Sequence, residues 1–256
     1  MARIKLLLRY DGTGLQGWQK QPHTDQTVQS KLETALSRLL QTEIRTIASG
    51  RTDAGTHALG QVVHFEGPDD IAKYDLVRAI NQQIGPTIQV RRSWIVPDDF
   101  HAQRSAERKT YKYIVSLDEP MPMTAPYCWY WRHQSDLKEL NRLSQCLLGE
   151  HDFASFQTAG TELATTVRSI YSAEWRRAKG NRLIFSITGS GFLKQMVRNI
   201  VGTLYDIDRK HLKSEDFEAI LKATDRTKAG TTAPASGLFL FHVKYPMDLD
   251  IRCRRL

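Results

Sequence analysis

The sequence predicts an α+β fold in which the order β-α-β-β-α-β occurs twice in tandem. Two such ferredoxin-like halves pair their strands into a continuous antiparallel sheet, with helices on one face and a central cleft on the other. Two observations predict it. Hydrophobic periodicity switches between the two-residue period of strands and the 3.6-residue period of helices in the same order in both halves. Between them, Pro97-Asp98-Asp99 breaks the strand pattern.

Residues 3–10 read as a strand, and Thr27 to Leu40 as a helix with Val28, Leu32, Ala35, Leu36 and Leu39 on one face. Strands at 43–49 and 61–66 follow, then a helix over 73–84 carrying Leu76, Val77 and Ile80, and a strand over 87–96. The second half repeats the series with a strand at 110–116, a helix at 136–148, strands at 168–177 and 182–188, a helix from Gly191 to Tyr205 and a strand at 238–244. An extra helix over 214–223 has Ser214 as its N-cap, with Glu215 and Asp216 favourable to its dipole. The halves divide as residues 1–104 and 105–256. Glu119 to Pro126 is a loop, since three prolines in eight residues sustain neither helix nor sheet ladder.

A chain of 256 residues, 41% hydrophobic and 25% charged, can bury a large core, and its net charge of +8 favours an acidic partner, nucleic acid being the commonest. Three widely spaced cysteines, Cys128, Cys146 and Cys253, have no Cys-x-x-Cys pairing and no nearby His at ligand spacing. They argue for a reducing, cytoplasmic setting and against a disulfide framework or structural zinc. No run reaches the ~18 apolar residues of a membrane helix, and Met1 to Lys5 is too short and charged for a signal peptide.

Chemistry concentrates in Gly50-Arg51-Thr52-Asp53-Ala54-Gly55-Thr56-His57, a Gly-bounded loop between two strand-like runs that carries one carboxylate and one guanidinium. By itself the loop also fits a plain reversal, in which Asp53 closes an Asx-turn and the glycines supply positive φ. Elsewhere in the chain stand Tyr10-Asp11-Gly12-Thr13-Gly14-Leu15-Gln16-Gly17-Trp18-Gln19, Phe100-His101-Ala102, Arg108-Lys109-Thr110-Tyr111-Lys112-Tyr113, Gly149-Glu150-His151-Asp152-Phe153, Gly191 to Asn199, and Thr232 to Leu238. Taken in order, these segments resemble the tRNA pseudouridine synthase A (TruA) family, and they span nearly the whole chain.

The resemblance implies the pseudouridine synthase fold and a cofactor-independent isomerase that turns uridine into pseudouridine in the tRNA anticodon stem-loop, at positions 38, 39 and 40. It implies Asp53 as the catalytic carboxylate, Arg198 as its ion-pair partner and Tyr111 as the aromatic that stacks on the target base. Arg51 would help extrude the nucleotide, and a homodimer would hold one tRNA across both subunits. Lys109 and Arg168, with Arg104, Arg108 and Lys112, are backbone-contact candidates. Helical angles leave Arg198 roughly 130° from the centre of the stripe formed by Leu193, Met196, Val197, Ile200, Val201 and Leu204, off the core face. Leu15, Thr56 and Gln195 depart from the family pattern without removing a catalytic group. Two other readings are a catalytically silent tRNA-binding protein or RNA chaperone on the same fold, and a hydrolase using Asp11 or Asp53 with a metal. The second lacks another carboxylate at metal-sharing spacing.

Overall fold

A computed structural model describes residues 1–158 and 164–256, a mixed α+β chain. In chain order its elements are β1 (Ala2–Tyr10), α1 (Val28–Leu40), β2 (Ile47–Ala48), β3 (His57–Gly67), α2 (Leu76–Ile84), β4 (Ile88–Val96) and β5 (Arg108–Ser116). Then come β6 (Trp129–Tyr130), α3 (Leu137–Gln145), β7 (Gly149–Asp152), β8 (Val167–Ala178), β9 (Arg182–Gly189), α4 (Met196–Arg209) and α5 (Ser214–Lys222). The chain closes with β10 (Leu238–Lys244), α6 (Met247–Ile251) and β11 (Arg254–Arg255). Two compact units result, one of Met1–Glu107 with Leu240–Leu256 and one of Arg108–Phe239.

In the first unit, β1 pairs antiparallel with both β3 and β4, and β11 adds to the outer edge of β4. Alternation explains the central place of β1: Ile4, Leu6, Leu8 and Tyr10 all point into the core. Helix α1 starts where Thr27 Oγ1 accepts the Ser30 N–H at 3.1 Å, and it buries Val28, Leu32, Ala35 and Leu36. The strand expected over 43–49 shrinks to Ile47–Ala48. Its amides are claimed from α1: Ser37 Oγ accepts from Ile44 N–H, and the buried Glu33 Oε1 accepts from both Thr46 N–H and Thr46 Oγ1. Helix α2 begins at Leu76, later than expected, because a 3-10 turn over Ile71–Lys73 precedes it and Asp75 caps it by accepting from Arg78 N–H.

In the second unit the strand order is β5-β9-β8-β7, all antiparallel, with β6 parallel to β5. Tyr111, Tyr113 and Val115 share the buried face of β5, and α3 packs on β8. Asn141 fastens that packing, since its amide both donates to the Trp175 carbonyl and accepts the Trp175 N–H. The helix expected from Gly191 begins at Met196, because Gln195 sits in the left-handed region at φ 60° and breaks the helical path before it. The cap expected at Ser214 falls one residue earlier, at Lys213, whose N–H donates to Asp216 Oδ2 at 2.8 Å.

His64, 4% exposed, accepts the Ala102 N–H at Nδ1 and lies 4.9 Å ring to ring from His101. Burial, aided by His101 and nearby arginines, pushes its pKa down to about 4 from 6.5. The native state therefore prefers the neutral ring, and His64's contribution is fully present above pH 6.5 and lost as pH falls toward 4. Over that window urea melts should show the parent losing stability relative to His64→Gln, with a slope of up to ~1.4 kcal/mol per pH unit. Parallel pH profiles would show that His64 is not the titrating group.

Candidate active site

The loop Gly50–His57 is built into the first unit by main-chain contacts with the segment that follows β1. Trp18 N–H donates to the Thr52 carbonyl at 3.0 Å and Gly55 N–H to the Leu15 carbonyl at 3.2 Å, while Thr56 N–H closes the turn on the Asp53 carbonyl at 3.1 Å. Such closeness needs bare backbone. A Cβ on Gly17, whose φ is +84°, would lie 2.7 Å from the Thr52 oxygen, and one on Gly12 would collide with the Thr56 carbonyl. The two segments singled out separately in the sequence are thus one physical object.

Side chains brace it from below. The hydroxyls of Tyr10 and Thr52 hydrogen-bond at 2.8 Å, Gln61 Nε2 donates to the Gly50 carbonyl, and Gln61 Oε1 accepts from Ser49 Oγ. Burial pushes the Tyr10 phenol up to about 12, so it stays protonated as part of this network. Gly12 N–H donates to His57 Nδ1 at 3.0 Å, and the Asp11 carboxylate accepts the Thr13 N–H. Asp11 therefore makes an Asx-turn of its own. Asp53 is half-buried at the head of the loop and Arg51 is exposed beside it.

In the second unit, Tyr111 is nearly buried on β5 and meets the Phe192 ring edge-on at 5.0 Å. Tyr113, two residues on along the same face, donates its hydroxyl to the Pro234 carbonyl at 2.8 Å. Lys109 pairs with Gly189 across β5 and β9, and Ile170 pairs with the same glycine from β8. Burial, with the Arg168 charge second, draws the Lys109 pKa down, and burial does the same to Arg168. Arg168 is steadied by the backbone where β8 begins, its guanidinium donating to the Thr165 and Val167 carbonyls. Two partly desolvated cations that repel each other form a place where an anion is welcome.

Arg198 is half-buried on α4, off the apolar stripe as its helical angle requires, and its Nε donates to the Ala233 carbonyl at 2.8 Å. Of the wider basic set, Arg108 lies 4.4 Å from the Tyr171 ring, Lys112 has its pKa lowered by burial and then by Arg176, and Arg104 is exposed. Sequence reasoning missed Gln61, Tyr10 and Phe192 as parts of the site. The available signal for the first was a polar Gln inside an otherwise apolar strand run, and the structure buries it completely.

A family model described as tRNA pseudouridine synthase matches residues 7–103 and 143–246. The chain is 48% identical over 259 residues to tRNA pseudouridine synthase A of Bdellovibrio bacteriovorus, with 99% of each chain covered. It is 43% identical over 250 residues to that of Maridesulfovibrio salexigens, covering 96% of this chain and 91% of the relative. To that of an Exiguobacterium species it is 39% identical over 245 residues, with 96% and 98% covered. These matches, on the α+β fold described above, define a class, the pseudouridine synthases. Within that class the chain belongs to the tRNA pseudouridine synthase A family.

One atom of the loop is out of place energetically: Thr56 Oγ1 is buried with no hydrogen-bond partner among the described residues. Replacing Thr56 by the isosteric Val should raise stability by ~1 kcal/mol in urea melts, since the methyl group needs no partner. Thr52→Val, which removes the bond to Tyr10, should instead cost ~1 kcal/mol or more. The opposite ranking would mean that the hydroxyl roles are reversed.

Proposed function

We propose that the protein isomerises uridine to pseudouridine in tRNA, at positions 38, 39 and 40 of the anticodon stem-loop, with Asp53 as the reacting carboxylate. The observation that carries this reading is the clamped loop: main-chain bonds to Leu15 and Trp18 hold Asp53 on a fixed support, which the chemistry needs and a simple reversal does not. The reaction breaks the N1–C1′ bond, turns the base and joins C5 to C1′, then releases the C5 proton. A carboxylate serves it by attacking C1′ or pyrimidine C6, or by assisting loss of the base through a glycal. Each route ends with the C5 proton lost to solvent and a proton taken up from solvent at N1. Substrate and product have the same composition and redox state, so no cofactor or metal is needed.

The remaining residues take supporting roles. Arg198 is the counter-ion of Asp53, Tyr111 stacks on the turned base, and Arg51 helps to extrude the nucleotide, a step that costs a few kcal/mol. Lys109 and Arg168 grip a substrate phosphate, and their mutual proximity and lowered pKa values support that assignment. The protein acts in the cytoplasm as a homodimer with one tRNA across both subunits. Among the described residues no helix is long and apolar enough to cross a membrane.

With tRNA tritiated at uridine C5, Asp53→Asn should reduce tritium release at least ~10³-fold while tRNA affinity stays within about threefold. Turnover within tenfold of the parent would remove Asp53 from the chemistry, and a parent that binds tRNA without releasing tritium would make this a silent binding protein. Excess EDTA, with tRNA kept folded by other counterions, should leave the rate intact; rescue by one divalent ion at micromolar level would point to the metal hydrolase.

The net charge of +8 generates a separate expectation. Affinity for tRNA should fall linearly in log-log form as salt rises, with a slope of several units. A slope near zero would contradict a broad phosphate footprint.

A further inference from the structure

The residue that aims Arg198 stands well away from it in sequence. We propose that Arg226 is a positioning residue for the isomerisation, acting through the loop Ala229–Ala233; this rests on the assignment of Arg198 as counter-ion to Asp53. The loop folds around the Arg226 guanidinium, which donates to the Ala229 and Gly230 carbonyls with one nitrogen and to Thr232 Oγ1 and Asn199 Oδ1 with the other. Asn199 has no exposure. Its Oδ1 also accepts from Thr232 Oγ1 at 2.7 Å, and its Nδ2 donates to the Phe156 carbonyl, so the loop is tied to the inside of α4.

The consequence reaches Arg198 one residue later. Ala233 N–H donates to the Arg198 carbonyl at 3.1 Å, and the Ala233 carbonyl accepts the Arg198 Nε at 2.8 Å. The Arg198 guanidinium is therefore held at its Nε by Ala233, and Ala233 follows directly on the residues that the Arg226 fork holds. Gly202 allows it, because a side chain there would collide with the Thr231 carbonyl. A guanidinium is suited to this task and an ammonium is not, since its donors diverge in one plane and satisfy three loop positions at once.

The test is steady-state tritium release by Arg226→Gln, Arg226→Lys and Thr232→Val, with urea melts confirming that each is folded. Both Arg226 variants should lose ~30-fold or more in kcat with KM within about threefold, and Thr232→Val, which keeps shape, should lose ~10-fold. The double variant Arg198→Met with Arg226→Gln should be no slower than Arg198→Met alone, because both remove the same aimed charge. Should Arg226→Gln not fold, Thr232→Val and its combination with Arg198→Met decide. Parental kcat in Thr232→Val or Arg226→Lys, or a further loss in the double variant below the reduced but measurable rate of Arg198→Met, would overturn the proposal. Parental kcat in Arg198→Met would instead overturn the counter-ion assignment on which it rests.

Discussion

The site in the first unit depends on main chain meeting main chain. Gly12 and Gly17 have no side chains, so the segment after β1 lies directly against Thr52 and Thr56 and exchanges hydrogen bonds with the loop that carries Asp53. Backbone contacts of this kind position more sharply than side-chain contacts, because they have no rotamers to lose or change. Below them, Tyr10, Thr52, Gln61 and Ser49 form a polar layer in which the hydroxyls and the amide satisfy one another and the Gly50 carbonyl. A satisfied buried network of this sort rigidifies what it touches, at the risk that losing one member exposes the others to unpaired burial.

The second unit solves a similar problem with longer side chains. Its helix α4 buries an apolar stripe and presents, at Asn199, Thr203 and Asp206, a polar edge to the loop after α5. Thr203 Oγ1 accepts the Gly230 N–H and Asp206 accepts the Thr231 N–H, so the loop's amides are satisfied one after another by the helix. Tyr113 reaches the same loop from β5 through the Pro234 carbonyl, and it has no room to spare, since a Cβ on Gly237 would sit 2.6 Å from its ring. Arg198, Tyr111 and the pair Lys109 and Arg168 all stand on this scaffold or beside it. Their charge and ring chemistry is useful because the elements under them are packed.

Where local patterning and tertiary hydrogen bonding disagreed, the hydrogen bonds won. The residues over 43–49 have strand character, yet Glu33 and Ser37 on α1 take the amides that a strand would have offered, and only Ile47–Ala48 reach the ladder of β3. Gly191 to Gln195 look helical by periodicity, but the positive φ of Gln195 holds them in a loop, which places Phe192 against Tyr111. Both differences are invisible to periodicity because the deciding partner is far away in sequence.

By itself the sequence determined the order of the longer elements, though not β6, β7, α6 or β11, together with the apolar faces of α1 and α4, the off-stripe place of Arg198 and the segments that identify the family, all of which are properties of near neighbours along the chain. Only the tertiary structure decided that Tyr10–Gln19 and Gly50–His57 form one clamped assembly, that Asp11 makes a local turn, that Lys109 and Arg168 share a partly desolvated environment, and that the loop held by Arg226 is the one whose Ala233 bonds Arg198. It also decided that Leu240–Leu256 folds with the first unit, where Lys5 pairs with Asp250 and Leu256 N–H donates to the Ser93 carbonyl. The reason is the same throughout. Periodicity reports which face of an element turns inward, whereas a hydrogen bond or a charge pair depends on which distant residue comes to meet it.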